Sequence, residues 1–115
     1  MCIRDRADPR RVAEMATAAQ AAVDVPMAVA TLSLDLLREY ARLVTMTNRH
    51  LRSDLAMAAV LAAATARSAW WNVVVNVPGL PEGDRAGVLA TVEAMVAKAE
   101  DVARDVERGC REPMP

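Results

Sequence analysis

Apolar positions in this chain recur every three or four residues almost from end to end, and the interruptions are proline, glycine or small polar clusters. In DPRRVAEMATAAQAAVDV, Val12, Met15, Ala16, Ala19, Ala22 and Val23 fall at helical spacing. Asp8 can cap that helix, and Pro9 suits its first turn. Pro26 opens a second segment with a stripe of Val29, Leu32, Leu36, Tyr40 and Leu43. Asp35, Arg38, Glu39 and Arg42 fall elsewhere on it, as opposite charges three residues apart. From Leu55 to Ala66 every residue is apolar except Thr65, which predicts a helix buried all round. The continuation WWNVVVNV is ambiguous, because Trp and Val favour strands. The helical reading wins there: no breaker separates it from the alanine-rich run, and no second strand exists to pair with it. Pro78, Gly79 and Pro81 end the segment. In the last, Leu89, Val92, Val96, Ala99, Val102 (or Ala103) and Val106 hold a stripe, Glu100 and Arg104 form an i,i+4 pair, and Gly109 reads as the stop.

The pattern therefore predicts about four helices, near 9–24, 26–47, 54–77 and 82–108, joined by short loops near 24–26, 47–52 and 78–83. The expected fold is all-α, an up-down helical bundle forming part of a larger helical domain. Residues 8–109 make the single domain and 110–115 a loose tail. The opening MCIRDR has no periodicity and none of the apolar stretch of a signal peptide. It reads as non-native or disordered, and the chain as a piece cut from a longer parent.

Composition narrows the chemistry. The chain of 115 residues is 54% hydrophobic and 25% charged, with 3% aromatics and no Phe, so its core is built from Ala, Val, Leu and Met. Lys and Arg number 14 against 15 Asp and Glu, for a net charge of −1, which lacks the basic footprint of a nucleic-acid binder. Cys2 and Cys110 sit near opposite ends with no CxxC or Cys/His cluster, which argues against a metal site. They read as free thiols in a reducing compartment, so the expected localisation is cytoplasmic. The stretch 55–77 is long enough to cross a membrane. Alanine inserts weakly, however, and Arg67, Asn72 and Asn76 oppose insertion, so a buried helix without membrane contact is expected.

Six polar residues stand outside the amphipathic pattern: Asn48, His50, Ser53 and Asp54 before the third helix, then Asn72 and Asn76 near its far end. On a helix Asn72 and Asn76 share a face. Each residue has an ordinary explanation. Ser53 and Asp54 can cap. The amides can bond a neighbouring helix or a symmetry mate and fix register. His50 can be a solvated loop residue, and Trp70 and Trp71 core or interface anchors. No nucleophile–base pair, phosphate loop or paired-carboxylate motif is present.

VPMAVA, NRHLRSDLAMAAVLAAAT and AWWNVVVNV, in this order, resemble the cyclodeaminase/cyclohydrolase family over about 21–108. That family includes formiminotetrahydrofolate cyclodeaminase and the methenyltetrahydrofolate cyclohydrolase of the serine cycle. The shared features are the Val-Pro that starts a helix, an Asn before a Ser-Asp, an alanine-rich helix and Asn-Val-x-x-Asn. The resemblance implies an all-helical homodimer acting on a tetrahydrofolate derivative as substrate, with no bound cofactor and no metal. It maps Asn48, Ser53, Asn72 and Asn76 to substrate binding and Asp54 to catalysis. It also implies one of two reactions: loss of ammonia from 5-formiminotetrahydrofolate, or hydrolysis of 5,10-methenyltetrahydrofolate. The chain departs from the family at Thr47 and Ala56, where Gly is usual, and at His50, where a second Asn is usual. The family's Pro-Gly-Gly-Gly-Ser stretch has no counterpart here. The rival reading is a non-catalytic helical dimerisation or interaction module whose asparagines fix register.

Overall fold

A computed structural model describes residues 8–112. Among them there are three α-helices and no strand: α1 spans Pro9–Leu43, α2 spans Arg52–Asn76 and α3 spans Glu82–Arg111. Single 3-10 turns at Arg49–Leu51 and Val77–Gly79 bracket α2. Each helix packs against both others. The readings made on residues 1–7, Cys2 among them, and on 113–115 lie outside the described residues.

Two of the expected helices are one. The expected break at 24–26 does not form, and α1 runs through Pro26 without interruption. Proline forfeits one backbone hydrogen bond inside a helix. Here its ring is buried, in line with Val23, Ala30, Ser33, Leu34 and Leu37. That line carries the core face of α1, so burial on both sides of the proline holds the helix continuous. The buried face also differs from the expected stripe. Leu32, Leu36 and Leu43 are exposed, as are Val12 and Met15, while Ala30, Leu34 and Leu37 face the core. Asp8 caps α1 as expected, accepting from the Arg10 amide at 2.9 Å.

The helix α2 is not buried all round. Leu55, Ala59, Ala62, Ala66, Ala69 and Val73 form a seam of alternating four- and three-residue steps that packs inside the bundle. Such spacing keeps one narrow line facing its neighbours. Alanine at four of the six positions lets α1 and α3 approach closely. The opposite face stays open: Met57, Val60, Leu61, Trp71 and Val75 are all exposed. By length and composition alone, α1 and the stretch Arg49–Gly79 are apolar enough to cross a membrane.

The stripe of α3 sits where the periodicity puts it, with Val92, Val96, Ala99, Val102, Ala103 and Val106 buried. Its expected i,i+4 pair rearranges. Arg104 pairs with Asp101, and Glu100 reaches across to Arg67 of α2 at 2.9 Å from Nε. A partly exposed pair of this kind contributes about 0–1 kcal/mol. The α2–α3 corner is fixed by Arg85, which donates to the carbonyls of Leu80 at 3.0 Å and Pro78 at 2.9 Å. The expected pairs Asp35–Arg38 and Glu39–Arg42 are present on the solvated side of α1.

Gly109 does not stop α3, which continues to Arg111. Its role is clearance, since a Cβ there would meet Val44 Cγ1 at 2.6 Å, where the end of α1 crosses α3. Gly87 faces open space. Gly109→Ala should therefore lower stability by about 1–3 kcal/mol through overpacking. Gly87→Ala should raise it by about 1 kcal/mol through helix propensity. Denaturant midpoints read both, and equal effects from the two variants would refute the close approach.

Candidate functional site

The six singled-out polar residues separate into two groups at opposite ends of α2. At the N-terminal end, Asn48 caps the 3-10 turn, its Oδ1 accepting from the His50 amide at 3.0 Å. Ser53 and Asp54 do not cap α2. The residue before the helix is Leu51, and Asp54 stands exposed in the first turn, where its charge suits the helix dipole.

A cavity of about 700 Å³ opens at this end, lined by Arg49, Arg52, Ser53, Glu107, Cys110 and Arg111 among others. One of its arginines, Arg52, serves the scaffold. Arg52 Nη1 donates to the carbonyls of Gly109 and Glu112, where α3 ends. A cation there meets the negative end of the helix dipole and satisfies carbonyls that lack a partner within the helix. Two glutamates, Glu107 and Glu112, share the lining and offset the positive charge. Burial holds the Cys110 thiol above its usual pKa; the nearby Arg52 charge opposes that shift, and Glu107 adds to it.

At the other end, Asn72 and Asn76 line a cleft of about 590 Å³ between α1 and α2. One wall is Ala21, Ala22, Val25, Pro26 and Val29 from α1. The other is Thr65, Ser68, Ala69 and the two asparagines. The cleft is apolar on the α1 side and polar on the α2 side, an arrangement that suits a flat ring with donors and acceptors along one edge. Most of its polar groups are already engaged. Thr65 and Ser68 hydroxyls donate to the carbonyls of Leu61 and Ala64, each at 2.8 Å. Asn76 Nδ2 donates to the main-chain oxygen of Asn72 at 2.7 Å. The Asn72 amide makes no hydrogen bond among the described residues and is solvent-exposed, so it is the group free to meet a ligand.

The amides thus avoid the penalty of burial without partners by two different means. Asn76 bonds back along its own helix, and Asn72 reaches water. Among the described residues neither bonds a neighbouring helix. The fold brings Asn72 and Asn76 together but leaves Asp54 about 27 Å from Asn72 and about 33 Å from Asn76 along α2, at 1.5 Å per residue, with Ser53 and Asn48 at that same far end. Sequence reasoning missed Thr65 and Ser68. Their spacing carries the signal: Asp54, Leu61, Thr65, Ser68, Asn72 and Asn76 lie along one flank of α2 at steps of three, four and seven. Trp70 packs against the core with Trp71 edge-on at 4.6 Å, and the Arg67 guanidinium lies over Trp70 at 5.4 Å.

Among the described residues no cluster of three or more His, Cys, Asp and Glu could hold a metal ion. With Cys2→Ser removing the other thiol, Cys110 should react with iodoacetamide at pH 8 more slowly than a free cysteine. The rate should climb further as the pH rises, because burial favours the neutral thiol. A rate equal to that of the free amino acid would refute the buried environment. Comparison with known proteins supplies one match: the family model described as Formiminotransferase-cyclodeaminase covers residues 4–104. No match to a curated protein or to a solved structure was found.

Proposed function

The chain belongs to the formiminotransferase-cyclodeaminase family, and from that membership we propose that it forms the folate-handling helices of a cytoplasmic one-carbon enzyme. The observation that carries the reading is the unengaged Asn72 amide in an apolar-walled cleft of about 590 Å³. A pterin is planar and presents a row of donors and acceptors at one edge. Asn72 binds that edge, with Asn76 beside it and Val25 and Val29 against the ring face. Asn48 and Ser53 contact the substrate from the other end of α2.

The reaction is the cyclodeamination of 5-formiminotetrahydrofolate. N10 attacks the carbon of the protonated formimino group, the proton released from N10 passes to the exocyclic nitrogen, and the bond from that carbon to the exocyclic nitrogen breaks, so that ammonia leaves and a cationic ring remains. The product is 5,10-methenyltetrahydrofolate. The alternative in the same class is hydrolysis of the methenyl compound, in which water adds to the same carbon. Both pass through a cationic, amidine-like carbon, which an anionic group stabilises. The Asp54 carboxylate has that role, and it accepts or returns the migrating proton. No resident cofactor or metal enters either step. The functional unit is a homodimer, because one bound folate does not span the length of α2 and the outer apolar face of α2 calls for a cover.

Steady-state turnover of the full-length protein tests this reading. Asn72→Ala should raise KM about tenfold, the loss of one hydrogen bond worth about 1.4 kcal/mol. Asp54→Asn should lower kcat by about a hundredfold or more, and neither should change the helical circular dichroism. If both variants turn over normally, the site is elsewhere. If Asn72→Ala unfolds the helices instead, the amide is a structural register device and the interaction-module reading holds.

A further inference from the structure

Pro26 lies inside α1 and carries no backbone N–H, so the carbonyl of Ala22, four residues before it, lacks its usual helical partner. Among the described residues no side chain and no loop amide donates to that oxygen. A helical carbonyl emerges beside its own side chain and those three and four residues on. Here these are Ala22, Val25 and Pro26, and all three line the cleft that holds Asn72 and Asn76. The α1 wall is apolar in its side chains, yet it presents one open main-chain acceptor.

That acceptor stands opposite the asparagines. A Cβ added to Gly79 would come within 3.0 Å of Ala19 Cβ, so Ala19 is level with the turn that ends α2. The start of α2 lies at the other end of α1, since Arg52 bonds the Gly109 carbonyl and Gly109 abuts Val44. The two helices are therefore antiparallel. Three residues along α1, about 4.5 Å, bring Ala22 to about the level of Asn76. Its carbonyl projects onward along α1, toward the level of Asn72.

We propose that the Ala22 main-chain oxygen is a ligand-binding group of this cleft, held open by the proline inside α1. The inference rests on the folate reading of the cleft and adds the atom that fixes how the pterin sits. The Asn72 amide offers a donor and an acceptor side by side. These match the C4 carbonyl and the N3–H of a 2-amino-4-oxopteridine. The 2-amino group beside them is a donor, and the Ala22 oxygen accepts from it.

The arrangement gives selectivity as well as orientation. A ligand without a donor at that position covers the oxygen and leaves it unpartnered, which costs more than the bond itself contributes. In an unbroken helix the same oxygen is aimed at the amide four residues on, and that amide takes part of its accepting capacity. An interior proline is costly to a helix. Here α1 bears that cost at the turn that faces the cleft.

Calorimetry on the full-length protein tests this, with two ligands: tetrahydrofolate, and its analogue with methyl in place of the 2-amino group. Methyl and amino are close in size, so the pair isolates the donor. The unmodified protein should bind the amino compound about tenfold or more tightly than the methyl compound. Pro26→Val restores an N–H at this position with a side chain of similar bulk. It should raise the denaturant midpoint, because α1 gains a hydrogen bond, and yet reduce the preference to about twofold or less. Pro26→Ala restores the same N–H with a smaller side chain. A preference lost in both variants assigns the effect to the restored amide rather than to packing. A tenfold preference that survives in both overturns the acceptor role. Equal binding of the two compounds by the unmodified protein overturns it as well, with the Ala22 oxygen left to solvent, and in either case the folate reading stands. If neither compound binds, the folate reading fails and the inference fails with it.

Discussion

Everything in this fold depends on how closely two helices, α1 and α3, can approach α2. Its inner seam carries Ala59, Ala62, Ala66 and Ala69 between Leu55 and Val73, all buried. Small side chains give little transfer energy individually. They let the larger residues of α1 and α3, such as Leu37, Val92 and Val106, seat fully across the gap. Each of those contributes about 1.5–3 kcal/mol by burial. Gly109 opposite Val44 is the same device at the far end of the bundle, a missing side chain where two helices cross. A core without Phe can be built this way only if backbones come close, and the step pattern of α2 arranges it.

That constraint decides what the polar residues can do. A helix packed along one narrow seam leaves its flanks open, and the flank toward α1 holds Thr65, Ser68, Asn72 and Asn76. Three of these spend a donor on their own helix. Asn72 alone keeps its amide free, so the polarity of the cleft is concentrated at one point. At the other end of α2, Arg52 is committed to the last carbonyls of α3 and Asn48 to its own turn. The Asp54 carboxylate has no such duty, so a partner brought near it meets a charge not yet engaged.

The helical class, the short corners at both ends of α2 and the whole stripe of α3 were legible in the sequence, because periodicity reports them directly. The continuity of α1 was not. A proline read locally is a breaker, and only burial of Pro26 between Val23 and Ala30 explains why the helix continues. The wrong leucines were assigned to the core of α1 because two apolar lines run along it, and periodicity alone does not say which one meets α2 and α3. The same ambiguity hid the open face of α2, where an unbroken apolar run looks identical whether one side is covered or both. Asn72 and Asn76 were correctly placed together by their spacing. The distance from Asp54 was legible too, since helix length alone sets it. The cleft wall from α1 was not legible, because it needs the crossing of two helices.

The central claim is that α2 is built to be covered on two opposite faces, the inner one by its own chain and the outer one, as proposed above, by a second copy. With Trp70→Phe, the fluorescence of Trp71 reports on the outer face alone. Trp71 is 58% exposed in the single chain. Its emission should be blue-shifted and shielded from acrylamide at high micromolar concentration, and should move to the red and become quenchable on dilution. Emission that stays red and fully quenchable across the same range would contradict the claim.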